Sequence, residues 1–325
     1  MAENKKRIAL LMGGKSNERE VSLASGKEVL AHIDQNRFEV TTYDPATDLI
    51  RLVEDADKLD LAFLCLHGRY GEDGTIQGLC EMVGLPYTGS GVPASALAMD
   101  KEIAKRIFRD AGLPVAPDLV VRKEDVSDFS ETAKIALFSL GNPMVVKPLR
   151  SGSSVGLSIV ESEQQLVEAL TRAFDMDGAA MLEKYLPGIE LTCGVVGNQT
   201  LKALPPIEII PADGHRFFDY SAKYDAGQAQ EICPAGVHKE LYDEVQRLSI
   251  SAHTTLGCRG LSRTDLIFSF GNTYILETNT LPGLTSGSLL PKMAKAYGLS
   301  FTSFISYIID LALTGQDLNI DDYKV

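Results

Sequence analysis

The stretch LSRTDLIFSFGNTYILETNT, residues 261–280, carries the apolar runs Leu266–Phe268 and Tyr274–Leu276 on either side of Ser269-Phe270-Gly271-Asn272. Runs rich in Leu, Ile, Phe and Tyr around a glycine-containing break read as two antiparallel strands, Leu261–Phe270 and Thr273–Thr280, joined by a tight turn. With the hairpin centred on Gly271, Asp265 lies opposite Glu277 and Arg263 opposite Asn279. Side chains two apart share a face of a strand, so all four project from one side of the sheet. Opposed side chains then sit roughly 5 Å apart. Two carboxylates that close repel unless a cation compensates, and Asp265, Glu277 and Asn279 offer the hard oxygen donors that Mg2+ accepts together with phosphate oxygens. The alternative is a solvated face that carries both carboxylates by chance. Leu266, Phe268, Ile275 and Leu276 mark a core strand pair instead and favour the metal.

Upstream, Arg7–Met12 reads as a buried strand, Gly13–Asn17 as a turn, and Glu18–Ile33 as a helix with Leu23, Leu30 and Ile33 on one face. A second apolar run, Leu59–Leu66, ends at His67-Gly68 and is followed by a helix over Thr75–Val83. Strands alternating with helices predict a parallel sheet. From Asp100 the pattern changes to a basic helix and then to short strands, among them Met144–Lys147 and Leu157–Val160. Strands Ala179–Leu186 and Leu191–Val196 flank Pro187-Gly188, and a helix follows from His238 to Thr255. These shifts divide the chain into residues 1–100, 101–186 and 187–325. The long connection over 211–235 exceeds ordinary loop lengths and reads as a functional lid.

Composition narrows the function. The 325 residues are 45% hydrophobic and 23% charged, enough for sizeable cores. A net charge of -13 disfavours nucleic acid as a partner. Cys65, Cys80, Cys193, Cys233 and Cys258 show neither a C-x-x-C pair nor zinc spacing and read as reduced core residues. The apolar run after Lys5-Lys6-Arg7 is too short for an export signal, and Phe301–Leu313 is too short and too interrupted to span a membrane. A cytoplasmic protein without membrane partners is the expectation.

Gly152-Ser153-Ser154-Val155-Gly156, after Lys147-Pro148, suits a loop that cradles phosphates with its backbone amides. It also spells G-x-S-x-G, which keeps open a serine hydrolase with Ser154 as nucleophile. That reading requires a helix after the loop, where Leu157–Val160 predicts a strand. Gly13-Gly14 lacks the G-x-G-x-x-G spacing of dinucleotide sites, and no G-x-x-x-x-G-K-[ST] loop occurs. Lys101, Lys147 and Lys223 each stand at a structural boundary, where a lysine reaches a phosphate or is merely solvated. Glu18 and Glu20 open the first helix, where carboxylates ordinarily stabilise the N-terminus.

GGKSNEREVSLASG at 13–26, LHGRYGEDGTIQG at 66–78, GLPYTGSG at 84–91 and SALAMDK at 95–101 together resemble the D-alanine:D-alanine ligases. The similarity runs on through VVKPLRSGSSVG at 145–156, EKYLPGIELT at 183–192, AKY at 222–224, CPAG at 233–236, SRTDL at 262–266 and ETNTLPGLTS at 277–286. The resemblance implies an ATP-grasp fold, α/β and α+β, in which a Rossmann-like N-terminal domain precedes two domains that clamp ATP. It implies that Lys101, Lys147 and Lys223 contact phosphates, with Ser153 in the loop over them. Glu183, Lys184 and Leu186 would surround adenine, and Glu190 would hold the ribose. Asp265, Glu277 and Asn279 would bind two Mg2+ or Mn2+ ions.

The implied chemistry joins two D-alanines through an acyl phosphate, for peptidoglycan synthesis. Glu18 and His67 would hold the first D-alanine, Ser288 and Leu289 the carboxylate of the second. Arg263 and the amide of Gly283 would stabilise the oxyanion, while Ser153 and Tyr224 join Glu18 to close the lid. A homodimer is also implied. Tyr224 favours a dipeptide product over a depsipeptide. Two positions depart from the pattern: Gly287 stands where many relatives carry a larger residue, and Ser151 where Glu is common. Rival readings are a ligase for another D-amino acid or hydroxy acid, and a catalytically silent ATP-binding regulator.

Overall fold

The computed structural model describes residues 5–152, 156–211 and 229–324. Three sheets organise them. In the first, β1 (Lys6–Leu11) lies between β2 (Phe38–Tyr43) and β3 (Leu61–Leu64), all parallel. The connecting helices are α1 (Arg19–His32) and α2 (Leu49–Asp55). Parallel strands joined through helices are buried on both faces, which is why β1 and β3 read as unbroken apolar runs. Helices α3 (Thr75–Met82), α4 (Val92–Met99) and α5 (Lys101–Asp110) lead out of this region.

The α1 helix corrects its sequence reading. Leu30 is exposed and Leu23 only half-buried, while Ile33 does enter the core; within the helix the buried face is Ser22, Ser25, Gly26 and Val29. Small residues let the helix lie close to the chain leaving β1: a Cβ on Gly26 would stand 2.5 Å from the Met12 sulfur. Of the expected stripe only Ile33 reaches the core, and the two leucines do not mark the packed face.

The second sheet runs in the order β4 (Asp118–Arg122), β7 (Ala179–Lys184), β5 (Met144–Pro148), β6 (Ser158–Val160). Its partners are antiparallel, and α6 (Phe129–Leu140) and α7 (Glu163–Asp177) cover one face with a core that includes Leu166, Leu170, Val146 and Leu182. Asp128 and Ser162 cap those helices through their side chains.

The third sheet is built on β8 (Ile189–Gly197), paired with short β9 (Lys202–Ala203) and with β10 (Ile207–Pro211), beyond which lies β11 (Ala229–Ile232). The other flank of β8 carries β12 (Gly260–Ser269) and then β13 (Asn272–Asn279), with α8 (Lys239–Thr255) packed against the sheet through Leu241, Val245 and Leu248. The chain closes with α9 (Leu289–Tyr297) and α10 (Phe301–Thr314). One core cluster joins α10 residues Phe304 and Ile308 to Ile8, Val29 and Phe63, so the last helices seal the first sheet. Among the described residues no single helix is long and apolar enough to cross a membrane, and α9 and α10 are bent by 100° relative to each other.

The β12–β13 hairpin turns on two residues, Phe270 and Gly271, both with positive φ (49° and 78°), as a type I′ turn requires. Ser269 pairs with Asn272 and Leu266 with Ile275, yet Asp265 pairs with Glu277 and Arg263 with Asn279. Leu276 is the extra residue of a β-bulge between these two registers. The opposed carboxylates expected from the sequence are present, but the bulge places them, not a turn centred on Gly271.

Candidate active site

Two adjoining cavities collect the site residues. The larger, about 570 Å3, opens between the first sheet and the α9 end of the third, and Glu18, His67, Arg263, Gly283, Ser288 and Leu289 line it. The smaller, about 170 Å3, lies between the second and third sheets and is lined by Lys147, Glu183, Lys184, Leu186, Glu190 and Asp265. Lys101 and Glu277 border both, and Asn279 borders the larger. Every expected site residue within the described range thus converges on one of the two. Ser153, Lys223 and Tyr224 lie outside the described residues, as does Ser154.

Glu18 follows the turn after β1 and is 8% exposed, without the helix-capping bond expected of a carboxylate there. Backbone comes close to it from two sides. A Cβ on Gly68 would lie 2.6 Å from its Oε2, and one on Gly152, in the glycine-rich loop, 2.9 Å. Glycine at both positions is what lets a loop of the second sheet approach the first sheet's carboxylate. His67, at the end of β3, places one ring nitrogen 3.1 Å from Ser25 Oγ and the other 3.4 Å from Glu72 Oε1.

Lys101 starts α5, where Asp100 caps the helix by accepting from the Ile103 amide. Its ammonium donates to the Ser151 carbonyl at 2.7 Å and stands 3.7 Å from Glu277. Burial pulls its pKa below the ordinary lysine value. Burial works against Lys147 too, but Glu183, 2.6 Å away, and then Glu277 outweigh it and hold that ammonium above the ordinary value. Glu183 is itself buried, which alone would raise it, yet Lys147 and Lys105 bring it down to about 2. Both Glu183 and Lys147 are therefore charged at neutral pH.

On the hairpin, Arg263 grips Asp265 with two hydrogen bonds of 2.8 Å, and Thr192 of β8 donates to the same carboxylate at 2.6 Å. Glu277 stands opposite, and Asn279 Oδ1 accepts from the Leu281 amide at 2.9 Å. Among the described residues no group of three or more His, Cys, Asp or Glu side chains converges as a ready metal cage. Two carboxylates and an amide oxygen beside two lysines suit magnesium that completes its shell with phosphate oxygens and water, rather than a structural metal. The donor set fits that ion.

Elsewhere the competing readings lose ground. The Gly13 amide donates to Ser22 and the Gly14 amide to Asp44, so this turn serves the fold and not a dinucleotide. The glycine-rich loop leads into strand β6, not the helix that a nucleophile elbow needs. Thr192 and Glu231, the latter on the wall of the larger cavity and paired with Lys292, were not singled out from the sequence. Thr192 was findable, since the strand Leu191–Val196 places alternate residues toward the cavity side. Glu231 adjoins residues where no periodic signal exists.

Comparison with known proteins bears on the family. The family described as D-ala D-ala ligase N-terminus matches residues 7–50 and 46–90, and that described as D-ala D-ala ligase C-terminus matches residues 107–310. A D-alanine--D-alanine ligase of Syntrophobacter fumaroxidans is 50% identical over 313 residues, which cover 96% of this chain and 99% of that protein. The ligase of Bacillus anthracis in complex with ATP superposes with a TM-score of 0.82 at 35% identity, covering 95% of this chain and 98% of the other. VanG D-Ala:D-Ser ligase from Enterococcus faecalis superposes at 0.79 with 32% identity, covering 95% and 100%. With both halves matched in order and half its residues shared with a ligase of the same extent, the chain belongs to the D-Ala–D-Ala ligase family.

Proposed function

We propose that the chain uses ATP to join two D-alanines into D-alanyl-D-alanine for peptidoglycan precursor synthesis, in the cytoplasm and as a homodimer. The observation that carries this reading is the meeting of two cavities at Lys101 and Glu277. One is a slot with apolar walls such as Val145, Leu186 and Ile267, fit for a base, and the other is a chamber into which Glu18, His67 and Arg263 face, fit for small zwitterions. Residues 1–100, 101–186 and 187–325 each contribute a wall.

The base occupies the slot beside Glu183, Lys184 and Leu186, with the ribose at Glu190 and the phosphates at Lys101 and Lys147, joined by Ser153 and Lys223. Asp265, Glu277 and Asn279 would hold Mg2+ or Mn2+, which when bound neutralises phosphate charge. Glu18 receives the ammonium of the first D-alanine, with His67 beside it. A carboxylate oxygen of that substrate attacks the γ-phosphorus, the bond to the ADP oxygen breaks, and an acyl phosphate forms. The deprotonated amine of the second D-alanine, its carboxylate held at Ser288 and Leu289, attacks the acyl carbon and expels phosphate. Arg263 and the Gly283 amide face the oxyanion of that step. Tyr224 joins Glu18 and Ser153 in keeping water from the intermediate.

Gly287 favours keeping a second amine substrate in view: a Cβ there would meet nothing nearer than Thr285 Oγ1 at 3.9 Å, so this wall of the chamber is open. The test is phosphate release from ATP and Mg2+ with D-alanine, D-serine, D-lactate or L-alanine, with the product identified by mass. Release with D-alanine alone and a D-alanyl-D-alanine product is expected. A mixed D-alanyl-D-serine product would move the specificity, and no release with any of them would overturn the ligase reading.

A further inference from the structure

Lys105 follows Lys101 by one helical turn on the inner face of α5, shared with Ala104 and Phe108. It is 1% exposed, among the largest fully buried side chains of the protein. An unpaired ammonium there would be strongly disfavoured, so its partners must compensate the lost hydration. They are two carboxylates placed opposite each other on β4 and β7: Glu183, to which Lys105 donates, and Asp118, 3.1 Å away. Arg109 reaches Asp118 from the outer side.

The other oxygen of Glu183 stands 2.6 Å from Lys147. Four charges of alternating sign therefore run inward as Asp118, Lys105, Glu183 and Lys147, and only the last two line a cavity. Lys105 reaches neither cavity. A lysine that touches no ligand, but occupies one of the two oxygens of the carboxylate that steers a cavity lysine, acts through that carboxylate.

We propose that Lys105 is a positioning residue for ATP, holding Glu183 divided between two cations so that Lys147 keeps its remaining N–H donors directed at the phosphates. The inference rests on the reading that Lys147 contacts phosphate. Without Lys105 the whole charge of Glu183 falls on Lys147, and the charge of Asp118 adds to it from behind. Lys147 is then drawn toward the sheet and away from the triphosphate.

The test compares Lys105→Met, Lys105→Arg, the double variant Lys105→Met/Asp118→Asn, and Lys147→Met in the full chain, with circular dichroism as a check on folding. For Lys105→Met we expect KM for ATP to rise at least tenfold while KM for D-alanine stays within about threefold, and Lys105→Arg to recover part of the loss. The double variant removes the buried charge imbalance, so it keeps the test open should the single change fail to fold, and it remains impaired toward ATP because Glu183 still faces Lys147 alone. An unchanged KM for ATP in folded Lys105→Met, or its full restoration in the double variant, would overturn the proposal. If Lys147→Met itself leaves KM for ATP unchanged, the phosphate reading has failed, and the role of Lys105 with it. A rise with Lys147→Met but not with Lys105→Met fails the proposal alone.

Discussion

Asp265 faces Glu277 across the β12–β13 hairpin because Leu276 bulges out of the ladder between them. A two-residue turn at Phe270-Gly271 with a regular ladder would set Leu276 opposite Asp265. Period-two alternation would then put Ile275, Glu277 and Asn279 on one face, burying either two polar groups or none. The bulge lets Ile275 enter the core at 0% exposure while Glu277 lines both cavities. For Asp265→Asn and Glu277→Gln we expect phosphate release to fall roughly a hundredfold or more, since each change removes a charge on the order of several kcal/mol to a bound metal. Titration with Mg2+ checks this: each variant should need a higher concentration for half-maximal rate, and an unchanged requirement would remove these carboxylates from the metal site.

Arg263 grips Asp265 through a fork that lysine cannot reproduce. Arg263→Lys keeps the charge and loses the planar pair of donors. Its kcat should fall about 10²-fold, in the range found when one oxyanion donor is removed, with KM for ATP little changed. A variant with wild-type kcat would assign Arg263 to the fold.

The hairpin also shows how far the sequence carried. The apolar runs around the Gly271 turn mark both strands, but the opposed pairs follow from a turn centred on Gly271, a register that the structure reaches through the bulge instead. The bulge was invisible, since nothing in Ile275-Leu276-Glu277 distinguishes an extra residue from an ordinary one. On α1 the leucines misled, because close packing of Ser22, Ser25 and Gly26 leaves no apolar stripe to read. Lys105 was passed over for the same reason in reverse: in KEIAKRIFRD a lysine reads as solvated unless its two carboxylate partners, 13 and 78 residues later, are known to meet it. Lys101, Lys147 and Glu183 carried meaning only as a set spread over 83 residues, which local spacing could not assemble and resemblance to a family did.

Phe270 occupies the first position of the type I′ turn with φ of 49° and is 77% exposed, so it meets the cost of left-handed backbone without the benefit of burial. Asparagine tolerates that conformation and is favoured before glycine in such turns. Phe270→Asn should stabilise the protein by about 1 kcal/mol and raise Tm by about 2 °C, leaving activity unchanged. A lower Tm would mean that the phenyl ring contributes contacts worth more than the turn.

His253 of α8 is fully buried, with one ring nitrogen 2.7 Å from Ser262 Oγ and the other without a hydrogen-bond partner. Burial lowers its pKa from 6.5 to about 4. Above pH 6.5 the imidazole is neutral in both folded and unfolded chains and costs nothing. As pH falls below that value the unfolded chain takes up a proton that the folded one refuses until about 4, so stability is lost across this window, on the order of 3 kcal/mol in total. His253→Asn keeps a polar atom for Ser262 and removes the titration. Its Tm should be lower at pH 7, from the lost packing, but should decline less steeply between pH 6.5 and 4 than that of the wild type. Parallel declines would show that other groups govern the acid limb.

Gly152 tests whether the glycine-rich loop and Glu18 form one surface for the first substrate. A Cβ at this position would lie 2.9 Å from Glu18 Oε2, and the backbone there needs no left-handed conformation, so alanine acts through space alone. Either the loop or the carboxylate must give way by a few tenths of an ångström, and a carboxylate displaced by that amount no longer matches a fixed ammonium. Gly152→Ala should therefore raise KM for the first D-alanine about tenfold, with Tm nearly unchanged because the loop contributes little core. A control is Gly84→Ala, whose added carbon meets nothing within 4 Å but whose φ of 68° is strained. That variant should lower Tm and leave KM alone, so the two glycines separate steric from conformational cost. If Gly152→Ala lowers Tm without touching KM, the approach of the loop to Glu18 belongs to folding and not to substrate binding.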